Sequence, residues 1–191
     1  MPAKASPTRS AYLELRLSGS GGQGIILAAT LLGARVAQAG RHVVQTQSYG
    51  PEARGGASKA EVIVSDEDID FPEVRLPDLT LCLSQPAFDK YAHETRPDGL
   101  VVADTGLIRG DGLAPGLRLA GAPFTEIATT RLGKAVATNV VALGAVLALT
   151  GLAPPEAVQE ALKRRLPAKI VDLNLRALEL GREAVQMAGA T

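Results

Sequence analysis

A cluster of four glycines and one glutamine follows the first predicted strand, in the stretch GSGGQG. Gly19, Gly21 and Gly24 have the G-x-G-x-x-G spacing, in which a strand, a tight turn and a helix present backbone N–H groups to a pyrophosphate. Gly22 adds conformational freedom, and Gln23 places an amide donor and acceptor at the helix start. The pattern indicates either an anion- or cofactor-binding turn or a strand-to-helix turn that only packs closely.

A nicotinamide site needs a second feature, an acidic residue about 20 residues further on, which binds the ribose hydroxyls at the end of the second strand. The segment Val43 to Gln47 has no carboxylate, and the next arginine is Arg54. The residues therefore weigh against NAD. A free-standing dinucleotide-binding oxidoreductase stays as the alternative, and it predicts that the isolated chain binds NAD or FAD.

A second glycine-rich segment, SYGPEARGGAS over 48–58, follows the second strand. Loops of about a dozen residues in a compact domain are commonly functional. This one contains Tyr49, Arg54 and the flexible pair Gly55 and Gly56, and the arginine fork suits an anionic oxygen pair. The alternative is a solvated loop in which Arg54 pairs with a neighbouring glutamate.

The composition excludes several classes of function. With 20 basic and 20 acidic residues the net charge is zero, which argues against binding nucleic acid or an acidic membrane through a general field. One cysteine, Cys82, and two histidines cannot form a zinc site or hold an iron–sulfur cluster, each of which normally needs four such ligands. Any redox metal would therefore belong to another chain.

The chain reads as one domain over 13–191, preceded by a loose polar leader over 1–12. The leader lacks an apolar stretch of the secretory type, and the most apolar run, 136–149, is shorter than the ~20 residues that cross a bilayer. We expect a cytoplasmic protein that does not enter a membrane.

Strand-like and helical segments alternate in the first two thirds of the chain, and the last third is helical. Leu13, Leu15 and Leu17 alternate with Glu14 and Arg16, which predicts a strand with one buried face. Further strands are predicted near 43–47, 59–65, 79–84, 99–104 and 117–120, helices over 24–39 and 85–93, and helices from 124 onward that break at 151–155 and 167. This order predicts an α/β, Rossmann-like fold with a mostly parallel central sheet flanked by helices and a helical C-terminal third.

Five segments together resemble one known family, the γ subunits of the 2-oxoacid:acceptor oxidoreductases, which use ferredoxin: GSGGQGIILAATLLG, VQTQSYGPEARGGASKAEVIVSD, PDLTLCLSQPAFDKY, VVADTGLI and ATNVVALGAVLALTG. The resemblance covers about 13–185, and VQTQSYGPEARGG is closer to the 2-oxoglutarate type than to the pyruvate type. It implies a Rossmann-like domain that does not hold a nicotinamide, and a complex that converts a 2-oxoacid and coenzyme A to acyl-CoA, CO2 and reduced ferredoxin.

In such complexes thiamine diphosphate and its magnesium lie between α and β subunits, and the iron–sulfur clusters lie in β or in a ferredoxin-like δ chain. The resemblance thus implies that this chain carries no cluster. We hypothesise that its glycine turn, Gly19 to Gly24, and the loop Tyr49 to Ser58 face the active site, shape the access of coenzyme A and keep water from the reaction. Arg54 would bind a phosphate or form an intersubunit salt bridge. The alternative is a pure scaffold that touches no ligand.

Three further polar residues are weighed on their sequence context. Asp111, in a Gly-Asp-Gly triplet, and Asn139 imitate a thiamine-diphosphate motif, but a valine follows Asn139 where a second asparagine is expected, so we interpret the match as chance. Asn139 either caps a backbone group, which we favour, or reaches the cofactor cleft. Asp104 follows a strand and either lines a cleft or leads into a turn.

Overall fold

The computed structural model describes residues 12–48 and 56–188, which form six strands and six α-helices in one α/β unit. The strands are β1 (Tyr12–Ser20), β2 (His42–Ser48), β3 (Ala57–Ser65), β4 (Leu79–Cys82), β5 (Leu100–Asp104) and β6 (Arg118–Ala122). The helices are α1 (Ile25–Gln38), α2 (Gln85–Tyr91), α3 (Phe124–Leu132), α4 (Thr138–Thr150), α5 (Pro155–Arg165) and α6 (Ala168–Ala188), with short 3-10 turns at Ala92–Glu94 and Ala135–Ala137.

The six strands form one sheet in the order β2-β3-β1-β4-β5-β6. The strands β1, β4, β5 and β6 pair in parallel, whereas β3 is antiparallel to both β1 and β2. Five of the six strands therefore run in one direction, which confirms the mostly parallel sheet. The antiparallel β3 is inserted between the first two strands, as a direct return from β2 allows.

Helices cover the two faces of the sheet unequally. One face packs against α1 and the helices α3 to α6, which share a single large core with Leu15 and Leu17 of β1. The opposite face packs against α2 and the 3-10 turn that follows it, in two small clusters around Phe88 and Tyr91. The helical last third predicted from the sequence therefore forms most of one layer.

The strand β1 differs from its prediction. Leu15 and Leu17 are buried as expected, but Arg16 is only 2% exposed and Ser18 is fully buried on the other face. The expected single buried face is wrong because β1 lies in the middle of the sheet, between β3 and β4, and α2 packs over its polar side. A charged side chain is thus held inside the molecule.

The apolar run in the last third forms α4, in which ten of thirteen residues are buried. Gly151 ends this helix in a left-handed conformation with φ 63°, and Pro167 stands directly before α6, so both predicted breaks are confirmed. In the part of the chain that the structure describes, no helix is both long and apolar enough to cross a bilayer. The run instead packs tightly against α6.

Candidate functional site

The glycine turn, Gly19 to Gly24, lies where the connections of the sheet change direction. From β1 the chain continues through α1 on one face to β2, whereas from β4 it continues through α2 on the other face to β5. The strands β1 and β4 are neighbours, and the Leu83 N–H donates to the Ser18 carbonyl over 2.9 Å at their ends. In open α/β sheets ligands bind in the crevice at such a switch point, outside the carboxyl ends of the strands.

Gln23 ties the turn together from within. Its side-chain Oε1 accepts a hydrogen bond of 2.6 Å from the Ser20 N–H, and its Nε2 donates one of 2.9 Å to the Leu83 carbonyl. A Cβ atom on Gly19 would lie 2.5 Å from the same Oε1, so this glycine makes room for the glutamine. Both ends of the Gln23 amide are therefore engaged inside the protein.

Gly24 is the last residue of the turn, and the Asn139 side chain of α4 packs against it. Its φ of 72° lies in the left-handed region, and its carbonyl accepts a hydrogen bond of 2.9 Å from Asn139 Nδ2. A Cβ atom at this position would lie 2.5 Å from Nδ2. The Asn139 Oδ1 atom accepts from the Val140 N–H, which confirms that Asn139 caps backbone groups.

Gly21 and Gly22 form the open part of the turn. Both are exposed, and no heavy atom of the described residues lies within 4 Å of a Cβ placed on either one. Gly22 also has φ 87°, which favours glycine. The first turn of α1 carries no acidic residue, so its positive end is not offset there by a carboxylate of its own. An anionic group could approach the backbone here without a side chain in the way.

The second glycine-rich segment reaches the same edge of the sheet. Ser58 pairs with Gly19 and Ala57 with Ser20 in the antiparallel register of β3 on β1, and the half-buried Gly56 immediately precedes this pairing. The two segments that the sequence nominated therefore meet at the carboxyl end of β1. Three of the nominated residues, Tyr49, Arg54 and Gly55, lie outside the described residues.

The insertion of β3 between β1 and β2 changes where a carboxylate for a nicotinamide ribose would have to lie. The test for an acidic residue after the second strand assumes that this strand lies beside the first. Here β3 lies between them, and its residues next to the glycine turn are Ala57 and Ser58. Neither residue is acidic, so the described part of β3 beside the turn offers no carboxylate to a ribose.

Sequence reasoning missed a set of charged residues on the α2 side of the sheet. Arg16 Nε lies 2.8 Å from Glu61 Oε1, Lys59 Nζ lies 2.9 Å from the same oxygen, and Arg16 Nη1 pairs with Glu94 Oε2. The available signal was the isolated arginine and glutamate within two apolar strands. An open pocket of about 550 Å³ is lined in part by Lys59, Glu61 and Ser48, the last described residue of β2.

Other candidates prove to be structural. The Asp104 carboxylate accepts from the Thr125 N–H at 2.9 Å, the Thr125 hydroxyl at 2.6 Å and the Gly106 N–H at 3.2 Å, so it caps a turn and the start of α3. Burial raises the pKa of the Cys82 thiol to about 12, which keeps it protonated. Asp111 lies exposed in a turn. Within 12–48 and 56–188, no three histidine, cysteine, aspartate or glutamate side chains are grouped as metal ligands would be.

A separate cavity of about 420 Å³ lies in the helical third of the molecule. Residues of α4, α5 and α6 line it, among them Leu147, Gln159 and Leu178. None of the residues nominated from the sequence contributes to it, and its lining is mostly apolar. The switch point at the glycine turn is therefore the better candidate site.

Comparison with known proteins gives a consistent result. Residues 14–184 match the model of the family described as pyruvate ferredoxin/flavodoxin oxidoreductase. The chain is 44% identical over 175 residues to 2-oxoglutarate synthase subunit KorC of Methanocaldococcus jannaschii, covering 91% of this chain and 94% of that protein. It is 40% identical over 171 residues to the KorC subunit of Archaeoglobus fulgidus, covering 90% and 87%.

A solved structure agrees with these relatives. The γ subunit of a keto/oxoacid ferredoxin oxidoreductase from Geobacter sulfurreducens superposes with a TM-score of 0.84 at 38% identity. The match covers 94% of this chain and 99% of that one. The superposition therefore extends over nearly the full length of both chains, and not over one part of the fold alone.

Proposed function

The chain belongs to the pyruvate ferredoxin/flavodoxin oxidoreductase family, and from this premise we propose that it is the γ subunit of a 2-oxoacid:ferredoxin oxidoreductase that acts on 2-oxoglutarate. The complex would convert 2-oxoglutarate and coenzyme A to succinyl-CoA, CO2 and reduced ferredoxin. The observation that carries the proposal is the 44% identity to a 2-oxoglutarate synthase subunit over nearly the full length of both chains.

The cofactors of the reaction would be held mainly by other chains. Thiamine diphosphate with magnesium supplies the chemistry that cleaves the bond to the carboxylate, and iron–sulfur clusters carry the electrons. The described residues of this chain do not fit a cluster or a magnesium site, because their one cysteine is buried and protonated and no group of metal-ligating side chains is present among them. We therefore assign these cofactors to α and β subunits and, where one exists, a ferredoxin-like δ subunit.

The part assigned to this chain is contact with coenzyme A at the glycine turn. The open backbone of Gly21 and Gly22, next to the start of α1, fits an anionic oxygen of the coenzyme A phosphates. Gly19, Gln23 and Gly24 would support the turn from inside. Other side chains fill the space beside the two glycines, and the Gln23 amide and the Gly24 carbonyl already make hydrogen bonds within the protein.

The loop that precedes β3 would complete the contact. Arg54 offers a bidentate donor to a phosphate, Tyr49 an aromatic wall, and Gly55 and Gly56 the freedom to approach closely. The proposed role of these residues includes excluding water from the α and β active site. The competing assignment is that Arg54 forms an intersubunit salt bridge. An Arg54→Ala variant decides between the two, because a raised KM for coenzyme A would support the phosphate contact.

Isolation of the native complex tests the assignment. The chain carries a tag, is purified anaerobically from its own host, and its partners are identified by mass spectrometry. We expect a brown complex that contains α and β chains of an oxoacid oxidoreductase. A single chain that is not brown and retains NAD, or is yellow and retains FAD, would instead support the free-standing dinucleotide-binding enzyme.

A further inference from the structure

A network of four charged side chains joins β1, β3 and the 3-10 turn after α2. We define the Arg16–Glu61 network as Arg16, Lys59, Glu61 and Glu94. Arg16 and Glu61 face each other directly in the antiparallel register, with 2.8 Å between Nε and Oε1. Lys59 Nζ approaches the same Oε1 atom at 2.9 Å, and Glu94 pairs with the guanidinium from the other side.

The burial of Arg16 and Glu61 within this network is not explained by stability. The Arg16 side chain is 2% exposed and that of Glu61 is 8% exposed. Removing each charge from water costs several kcal/mol, and apolar residues of similar volume in place of a buried pair are often as stable or more so. What the charged pair adds is a fixed geometry, since the planar guanidinium donates from Nε to Glu61 and from Nη1 to Glu94 in fixed directions.

Tyr91 extends the network to the first residue of β3. The Arg16 Cζ atom lies 5.4 Å and the Lys59 Nζ atom 6.0 Å from the centre of the Tyr91 ring. The Tyr91 hydroxyl donates a hydrogen bond of 3.3 Å to the Ala57 carbonyl, and the two residues share a small buried cluster with Ala87. Through Tyr91, the helix α2 thus holds the start of β3 from one face of the sheet.

The residues held in this way are the pairing partners of the glycine turn. Ala57 pairs with Ser20 and Ser58 with Gly19, the last two residues of β1. We propose that the Arg16–Glu61 network and Tyr91 position the glycine turn, by fixing the start of β3 against the end of β1. We assign them a positioning role. The identity of the ligand at the glycine turn rests on the function proposed above, but the positioning does not.

Two variants in the assembled, tagged complex test this proposal. Tyr91→Phe removes the hydrogen bond to Ala57 and keeps the ring, and Arg16→Lys keeps the charge and removes the fork. Arg96→Gln is the matched control, because it breaks a 2.9 Å pair with Asp78 that lies just before β4, near the opposite end of the sheet. Each complex is measured for amide hydrogen exchange of the peptides covering 17–24 and 57–61, and for its steady-state constants.

We expect both variants to exchange the turn amides roughly 3- to 10-fold faster than the control, as the loss of one net hydrogen bond predicts. The KM for coenzyme A rises by a similar factor while kcat stays within about twofold, since the chemistry is on other chains. Exchange at 17–24 that equals the control would overturn the proposal. Faster exchange with an unchanged KM would support the positioning and contradict the coenzyme A contact.

Where Arg16→Lys fails to assemble, Glu61→Gln provides the second test of the network. It is isosteric, removes the negative charge that Arg16 and Lys59 share, and replaces one carboxylate oxygen with an NH2 donor. The same faster exchange at 17–24 is expected. Protection that equals that of the wild-type complex would show that the charge is not needed, and would overturn the role of the network.

Discussion

The side-chain amide of Asn139 donates a hydrogen bond of 2.9 Å to the carbonyl of Gly24, which lies 115 residues earlier in the chain. This bond ties the first turn of α4 to the last residue of the glycine turn, and so connects the helical third to the edge where β1 ends. The candidate site is therefore held in part by a residue of the helical third, for which the sequence left backbone capping and the cofactor cleft as alternatives.

Replacing Gly24 with alanine tests this contact. The new Cβ atom meets Asn139 Nδ2 at 2.5 Å, and the left-handed φ of 72° adds strain. We expect a loss of roughly 1 to 3 kcal/mol in the free energy of unfolding. In an Asn139→Ala background the clash is gone and only the strain remains, so the same change costs less. Equal costs in the two backgrounds, measured by urea unfolding, would contradict the proposed contact.

The glycines of the turn differ in what they contribute, which two alanine variants separate. Gly21→Ala adds a Cβ in open space at an ordinary φ, so stability stays within about 0.5 kcal/mol of wild type while the KM for coenzyme A rises. Gly19→Ala displaces the Gln23 amide and destabilises the chain. Thermal unfolding and the KM for coenzyme A distinguish the two. If Gly21→Ala leaves this KM unchanged, the open glycines do not contact the coenzyme.

The packing of α4 on α6 depends on Gly144 and Gly181. A Cβ on Gly144 would collide with the Leu178 carbonyl, and one on Gly181 with the Val141 carbonyl. Because backbone atoms cannot move aside, we expect Gly181→Ala to cost roughly 1 to 3 kcal/mol or more. The control is Gly33→Ala in α1, whose Cβ would lie 3.3 Å from the Val43 side chain and 3.9 Å from Gln45 Oε1, with no backbone atom of another described element nearer, and which gains helix propensity. Similar midpoints for both variants in a urea titration would refute this close approach.

The buried Cys82 makes stability depend on alkaline pH. Burial raises its pKa from 9.0 to about 12 in the folded chain. Between these values the unfolded chain has lost the thiol proton and the folded chain has kept it, so stability falls as the pH rises. The slope is at most about 1.4 kcal/mol per pH unit. Unfolding at pH 8 and 10 should show a larger loss in the wild type than in Cys82→Ala, and identical losses would mean that the thiol titrates normally.

The sequence predicted the features that depend on neighbouring residues. The turn after β1 and the breaks at Gly151 and Pro167 were located correctly, because glycine and proline restrict or free the backbone locally. The insertion of β3 between β1 and β2 was not, since strand order depends on contacts between distant segments. The burial of Arg16 was missed for the same reason, because alternation along a strand does not reveal that α2 covers its polar side.

The candidate site, like the fold, was predicted from the sequence only in part. The sequence nominated the glycine turn and the segment before β3 separately, and the pairing of Gly19 with Ser58 brings them together. It could not distinguish glycines that accommodate Gln23 and Asn139 from those that face open space, because that depends on side chains folding back from elsewhere. The roles of Tyr49 and Arg54 stay predictions.

The most direct test of the account is the anaerobic rate of viologen reduction by the complex that co-purifies with this chain. We predict reduction that requires both 2-oxoglutarate and coenzyme A, with kcat/KM for 2-oxoglutarate at least about tenfold above that for pyruvate, a difference of about 1.4 kcal/mol in transition-state binding. A complex with a higher kcat/KM for pyruvate than for 2-oxoglutarate would contradict the assignment of 2-oxoglutarate as the substrate. The absence of coenzyme A-dependent reduction with any 2-oxoacid would contradict the assignment of this chain as an oxidoreductase γ subunit.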